Sequence, residues 1–373
     1  MSVDHVLLNF HVPQNISLLN QTFYVLISST GADSSELESS DVKKVYSYFT
    51  DRGRQFQQLF DQLGLDIVVV EVSMSNYQAV IDTLCSDPSS NQVVFYNFCD
   101  GVEVDGLPGK SVHRYLEQLD CLRVGATYEF ADISVNKAVM KEVFKQNGVS
   151  TAPFVNIYEW NETVRSQVLN LTFPVILKPS TFYASIGTHT GNVCKNIAEV
   201  EKIIQQKLSE FKVIVIEEFI NGPEFTVLVM EDIEGKLFAL NPAEIKFREH
   251  IPKQDRWLSF EHKWSKDGEM YYYAPCTDAK NAEAAKIIAL KAFQAVKGRS
   301  YGRVDIRKNE ETGEFFVLEV NENPAYGFYC SVDCILKFNG VEIERFIQLI
   351  LANQRRTRVE KSAKQAESLR YSI

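Results

Sequence analysis

Apolar positions set the outline of this chain. Phe23 to Ser28, Asp66 to Val72 and Gln92 to Asn97 are short runs of Val, Ile, Leu and Phe between polar or turn residues, which reads as strands buried on both faces. Between them, Asp41 to Leu63 and Asn76 to Leu84 repeat apolar side chains at helical spacing. Strands alternating with helices predict a doubly wound parallel sheet whose functional loops leave the carboxyl ends of the strands. Turn chemistry at Asp105 to Gly109, then a helix capped by Ser111 and running to about Leu119, close this unit near Gly125.

An amphipathic helix from Asp132 to Asn147, with Gly148 just past its end and Pro153 soon after, opens a second unit. A strand at Phe173 to Lys178, a Gly/Ser/Thr-rich loop at Ser180 to Asn192, a helix at Ile197 to Ser209 and a strand at Lys212 to Glu218 complete it. From Glu224 strands resume, a helix spans about Ala282 to Val296, and a hairpin occupies Gly302 to Asn321. The pattern divides into an α/β unit over 1–131, a central α+β unit over 132–220 and a C-terminal unit over 221–353. The remaining stretch, 354–373, is basic and lacks a strong apolar period.

Size agrees with that division, since 373 residues exceed what one core commonly serves, and a cleft between domains follows. With 45% hydrophobic and 24% charged residues, and no apolar run near the ~20 residues a bilayer requires, the chain reads as soluble and non-membrane. Met1 to Phe10 lacks the basic-then-apolar order of a secretory signal, so the expected compartment is cytoplasmic. Seven cysteines without CxxC spacing read as reduced thiols, and Cys330 with Cys334, lacking nearby histidines, make a poor zinc site. The net charge of -10 argues against a nucleic-acid partner, so any bound polyanion is small and held locally.

The hairpin carries the clearest chemistry. Arg303-Val-Asp305-Ile and Leu318-Glu319-Val-Asn321 place polar residues two apart, hence on one face, while Val304, Ile306, Leu318 and Val320 fill the other. If the hairpin is symmetric about residue 312, Asp305 opposes Glu319 and Arg303 opposes Asn321. Carboxylates directly opposed, with Cβ atoms about 5 Å apart, repel unless a cation offsets them. The oxygen ligands Asp305, Glu319 and Asn321 suit Mg²⁺ completed by substrate phosphates; the alternative is a solvent-facing pair neutralised by Arg303. Lys178 ends an apolar strand, where an ammonium needs an anionic partner, and the loop after it offers small residues and N–H groups to phosphate oxygens. Lys137 and Lys263 alone read as ordinary lysines.

Taken in order, Asp105-Gly-Leu-Pro-Gly, Asn136-Lys137, Pro174-Val-Ile-Leu-Lys178-Pro-Ser, Ser185-Ile-Gly187, Glu217-Glu-Phe-Ile-Asn-Gly-Pro-Glu224, Glu261-His-Lys263, Arg303-Val-Asp305 and Glu319-Val-Asn321-Glu-Asn-Pro324 resemble the ATP-grasp enzymes, within them the D-alanine-D-alanine ligase group. The resemblance runs from about Asn97 to Asn323. It implies an α/β, three-domain ATP-grasp architecture and an ADP-forming carboxylate-amine ligase working through an acyl phosphate. Lys137 and Lys178 would then hold the ATP phosphates, the backbone of Glu217, Glu218, Phe219 and Ile220 would read adenine, and Glu224 would bind the ribose. Ser185 and Lys263 would close over the γ-phosphate, and Asp305, Glu319 and Asn321 would ligate two Mg²⁺ ions, with Mn²⁺ as a substitute. Arg303 would stabilise the oxyanion formed when the amine attacks. The implied partners are a small-molecule carboxylate and amine, amino acids by analogy, and a homodimer through the first domain.

Departures fall on the amino-acid pockets. The first loop reads Ser28-Ser-Thr-Gly-Ala-Asp-Ser-Ser-Glu36, with Glu36 the one candidate for holding a substrate amine, and Ala-Tyr-Gly-Phe-Tyr-Cys follows Pro324 where Gly-Met-Thr and a Ser-Leu pair are usual. Trp264 stands where a tyrosine is common. Phe182, Tyr183, Trp264, Tyr326, Phe328 and Tyr329 line a larger pocket or pack between domains. Three alternatives stay open: a natural-product amide ligase with a non-alanine substrate, an ATP-grasp kinase acting on a hydroxyl, and a scaffold that has lost catalysis.

Overall fold

The computed structural model of the chain describes residues 23–29, 40–62, 64–86, 93–103, 105–265, 268–327 and 330–353, with the main chain alone over 46–55. Three sheets follow one another along it. The first, of parallel β1 (Phe23–Ser28), β2 (Ile67–Val72), β3 (Val94–Phe98) and β4 (Arg123–Val124), runs in the order β2-β1-β3-β4. The helix Ser40–Gln62 packs Phe56, Leu59 and Phe60 with Phe23 and Val25, and the helix Tyr77–Ser86 packs Tyr77 and Ile81 with Leu26 and Phe95, while β2, with Val68 exposed, is only partly covered. This is the doubly wound unit the alternation predicts.

The second sheet holds β5 (Phe154–Ile157), β6 (Val175–Pro179), β7 (Val193–Cys194) and β8 (Ile214–Glu218), antiparallel in the order β5-β8-β6-β7. The third takes β9 (Glu224–Glu231), β10 (Leu237–Ala239), β11 (Ala243–Phe247), β12 (Tyr271–Pro275), β13 (Tyr301–Lys308) and β14 (Phe315–Glu322) in the order β12-β11-β9-β13-β14, with β10 beside β9. All eight residues of β9 are buried, which makes it the spine of the third sheet.

Two expected helix boundaries move. The helix expected over 132–147 is two, Tyr128–Ser134 and Lys137–Gln146, because Asn136 caps the second by accepting from the Val139 N–H at 3.2 Å and Thr127 caps the first through Phe130. The apolar period runs through both, so spacing merged what a capping residue separates. Ser111 does not cap its helix either: the helix starts at Lys110 behind Gly109, and the Ser111 N–H donates to the Glu103 carboxylate at 2.7 Å.

Packing joins the units. Met140 and Phe144, from the helix after Asn136, pack with Ala289, Phe293, Val304 and Val320 beneath the third sheet. That helix, expected to open the central unit, is thereby anchored on the C-terminal one while its first residue, Lys137, faces the cleft. Tyr326 lies 2% exposed between Phe56, Phe98 and Phe346, so it belongs to the core shared by the first sheet and the last helices. No helix among the described residues is long and apolar enough to cross a membrane.

Candidate active site

The second and third sheets face each other across a cleft of about 440 Å³, and every site residue expected from the sequence lines it. Glu36, Phe328 and Tyr329 lie outside the described residues. At the floor, β13 and β14 pair as their symmetry demands: Arg303 opposes Asn321 and Asp305 opposes Glu319. Beyond Asp305 the register slips by one, with Ile306 facing Val317, and the bulge turns Leu318, expected on the apolar face with Val304, Ile306 and Val320, into the lining of the cleft.

Asp305 is 9% exposed and surrounded by donors: Thr226 Oγ1 on β9 at 2.9 Å, Asn321 Nδ2 at 2.9 Å, and Arg303 through Nε at 2.9 Å and Nη2 at 2.8 Å. Arg303 also donates to Ser331 Oγ at 3.2 Å. Burial works against the Glu319 carboxylate, yet Lys137, Lys263, Lys178 and Arg303 together bring its pKa down to about 2. Asp305, Glu319 and Asn321 thus form a hard, oxygen-rich donor set with one carboxylate firmly ionised, which fits Mg²⁺ sharing its remaining positions with phosphates and water. Among the described residues no group of three His, Cys, Asp or Glu forms a self-sufficient metal site.

Cations crowd the same floor. Lys137 donates to the Phe182 carbonyl at 2.6 Å and lies 3.4 Å from Glu319. Lys178, on β6, pairs with Glu217 on β8, and Lys141, one turn beyond Lys137, pairs with the same carboxylate. Burial opposes ionisation of Glu217, but the two ammonium groups hold its pKa at about 2. Its side chain is therefore the counter-ion of two lysines. The Glu218 and Phe219 N–H groups donate to the carbonyls of Pro153 and Pro174 at 3.0 and 2.9 Å, and the Glu218 carboxylate accepts from Thr172 N–H at 2.7 Å. Glu224, 3.7 Å from Arg307, is pushed by burial up to about 6. Burial also lowers the pKa of Lys263, at the end of the short helix Phe260–Lys263, and Arg303 lowers it further.

Over the cleft lies the loop after β6. Ala184 and Ser185 both adopt left-handed backbone, φ 54 and 62, a conformation costing roughly 1 kcal/mol or more for a residue with a side chain. Ser185 Oγ donates to the Leu258 carbonyl at 3.0 Å, and the Trp264 indole N–H donates to the Ala184 carbonyl at 3.0 Å. Trp264 thus fastens this loop by a bond a phenol ring at that position would make differently. Phe182 and Tyr183 line the cleft as well.

Sequence reasoning passed over Lys141, Thr226 and Arg307. Lys141 sits four residues after Lys137 and so on its helical face, and Thr226 sits two after Glu224 and so on its strand face; each was legible as a neighbour of a chosen residue. Arg307 donates to the carbonyls of Gly222 and Arg256 at 2.9 and 2.8 Å and lies over the Phe219 ring, bracing the linker between the two sheets.

Two antiparallel sheets closing on a cleft of lysines, with an opposed carboxylate pair on the last hairpin, define an ATP-grasp ligase. The family described as D-ala D-ala ligase C-terminus matches residues 143–352, more than half of the chain. The chain belongs to the D-alanine-D-alanine ligase family. It is 26% identical over 289 residues to the D-alanine--D-alanine ligase of Marinomonas sp., covering 76% of this chain and 84% of that protein. Against the D-alanine--D-alanine ligase of Psychrobacter sp. it is 28% identical, covering 64% and 67%. The fold matches the D-alanine-D-alanine ligase of Coxiella burnetii with a TM-score of 0.68, 13% identity and coverage of 95% and 99%. It also matches the Bacillus anthracis enzyme complexed with ATP, with a TM-score of 0.65, 17% identity and coverage of 91% and 99%. The chain is accordingly an ATP-dependent ligase that forms a C–N bond, and the kinase and scaffold readings fall away.

Proposed function

We propose that the chain joins two amino acids into a dipeptide, with D-alanine, named in its relatives, as the first substrate to try. One observation carries the reading: Asp305 and Glu319 stand directly opposed beneath Lys137, Lys178, Lys263 and Arg303, a floor that suits a triphosphate. Lys137 and Lys178 hold its phosphates, Ile220 and its neighbours line the adenine position, and Glu224 receives the ribose hydroxyls. Asp305, Glu319 and Asn321 would hold Mg²⁺, which would supply neutralisation of the phosphate charge for phosphoryl transfer.

The first carboxylate takes that phosphoryl group, and the second substrate's amine displaces phosphate to leave the amide. Arg303, fixed by its fork onto Asp305, stabilises the oxyanion formed in that displacement. Ser185 and Lys263 cover the reacting phosphate, and the loop that carries Ser185 keeps water from the acyl phosphate. Phe182, Tyr183 and Trp264 shape the amino-acid side of the cleft, the place where a non-alanine substrate would be selected.

The test is phosphate release and product mass with ATP, Mg²⁺ and a panel of D- and L-amino acids and amines. Release that requires a carboxylate-amine pair, with one amide formed per phosphate, is expected. Release without any amine, leaving a stable phosphorylated product, overturns the proposal.

A further inference from the structure

The loop over 180–192 is fastened from two sides, and only one of them belongs to the sheets that hold the nucleotide. From the C-terminal unit come the bonds of Trp264 and Leu258 already described, the Phe260 N–H to the Thr188 carbonyl at 2.9 Å, and Glu261, which accepts from Thr190 N–H at 3.1 Å and meets His189 Nδ1 at 2.8 Å. From the first domain comes Asp41, in the first turn of the helix Ser40–Gln62. Its Oδ2 accepts from the Gly187 N–H at 3.1 Å and lies 3.1 Å from His189 Nε2. Lys44, one turn further on, donates to the Trp264 carbonyl at 2.8 Å, and Asp105 accepts from the Tyr183 hydroxyl at 3.3 Å.

We propose that Asp41 is a positioning residue that clasps the phosphate-covering loop to the first domain through Gly187 and His189. Closure of the loop and docking of the substrate-side domain are then one event. This rests on the ligase reading of the cleft.

Two features make the clasp necessary. Ala184 and Ser185 hold left-handed backbone, and such strain persists only where surrounding contacts over-determine it. Gly187 has φ 70, and a Cβ there would come within 2.4 Å of the Phe211 ring, so the chain passes too close for any side chain and offers its bare N–H outward to Asp41. The imidazole of His189 lies between Asp41 and Glu261, one carboxylate from each domain, and so ties the two holders together through the loop itself. Lys207 donates to the Gly187 carbonyl at 2.9 Å from the loop's far side.

The chemistry at stake is partition of the acyl phosphate. Attack by the amine breaks the acyl carbon–oxygen bond and gives amide and phosphate; attack by water breaks the same bond and returns carboxylate and phosphate. A loop released from Asp41 admits water, so ATP is consumed without amide.

The experiment measures the full-length Asp41→Ala and Asp41→Asn proteins in two ways. Hydrogen exchange over 180–192 with Mg²⁺ and a non-hydrolysable ATP analogue should quicken at least about fivefold in Asp41→Ala, less in Asp41→Asn, and not at all over β13 and β14. Phosphate released per amide should rise from one to about two or more. His189→Asn removes the Asp41–His189 contact from the loop side, together with the bond to Glu261, so the double variant should fall short of the sum of the single ones by that one shared contact. Wild-type exchange over the loop in Asp41→Ala overturns the clasp, as does a ratio held at one. If the wild-type protein forms no amide with any substrate pair, the ligase reading fails, and loop exchange alone still decides the role of Asp41.

Discussion

Lys141 and Glu217 meet as an ion pair in which each side chain is 1% exposed, one helical turn behind Lys137. The same carboxylate takes Lys178, so a single buried anion fixes two lysines on different elements. Glu217 thereby serves the phosphate site by placing its cations.

Removing one partner leaves an uncompensated charge where water cannot reach it. Lys141→Met should cost about 3 kcal/mol, the low end for a broken buried pair because Lys178 still faces Glu217. Thermal unfolding at pH 7 would show this as a midpoint lower by several degrees. A midpoint equal to the wild type would mean that the pair contributes nothing.

The metal site gives a sharper expectation. Asp305→Asn and Glu319→Gln should each lower kcat/KM by at least about 100-fold, with a raised Mg²⁺ requirement. Arg303→Lys should lose nearly as much as Arg303→Ala, because a lysine cannot reproduce the two-pronged bond to Asp305. A Mg²⁺ titration of phosphate release separates the two: the carboxylate variants shift its midpoint, whereas the arginine variants lower its plateau.

Much of this was legible in the sequence because it is local. The strand Phe23–Ser28 and the opposed pair of Asp305 and Glu319 follow from runs and periods, which sterics enforce without reference to the rest of the chain. The slip after Asp305 was not, since a bulge answers to packing against β9 as well as to the hairpin's own symmetry. Nor was the place of Tyr326, which reads as a pocket aromatic by position and lies in the core because Phe56, Phe98 and Phe346 arrive from distant segments. Lys141 looks like any surface lysine until the fold buries it against Glu217, and the Asp41 clasp joins residues 146 apart.

Trp264 offers a test of how much one bond contributes to the loop. Trp264→Phe keeps an aromatic ring beside Phe260 but removes the indole N–H that donates to Ala184. A lost bond of about 1 kcal/mol should lower kcat roughly fivefold, leaving the affinity for ATP near the wild-type value. Single-turnover kinetics would check this; an unchanged kcat would place the loop's hold on its other contacts.

Acid stability turns on His113. It is 3% exposed, with Nδ1 3.2 Å from the Ala126 carbonyl, and burial, aided by Arg123, pushes its pKa down to about 4. In the unfolded chain it titrates near about 6.5, so between these values unfolding takes up a proton. Stability therefore falls as pH drops from 6.5 towards 4, by up to about 3 kcal/mol from this group, and is insensitive to it above pH 7. Glu224 works in the opposite sense, because its raised pKa lets the native state bind a proton first as pH falls through about 6. Glu217 and Glu319, held at about 2, stay ionised in the native state across this window and begin to cost stability only as the unfolded carboxylates protonate below about pH 5. Comparing wild type with His113→Gln at pH 7, 6 and 5 isolates the imidazole, since the carboxylates cancel in the difference. The wild type should lose relative stability at up to about 1.4 kcal/mol per pH unit below 6.5, and parallel pH profiles for the two proteins would show that His113 is not the group that charges on unfolding.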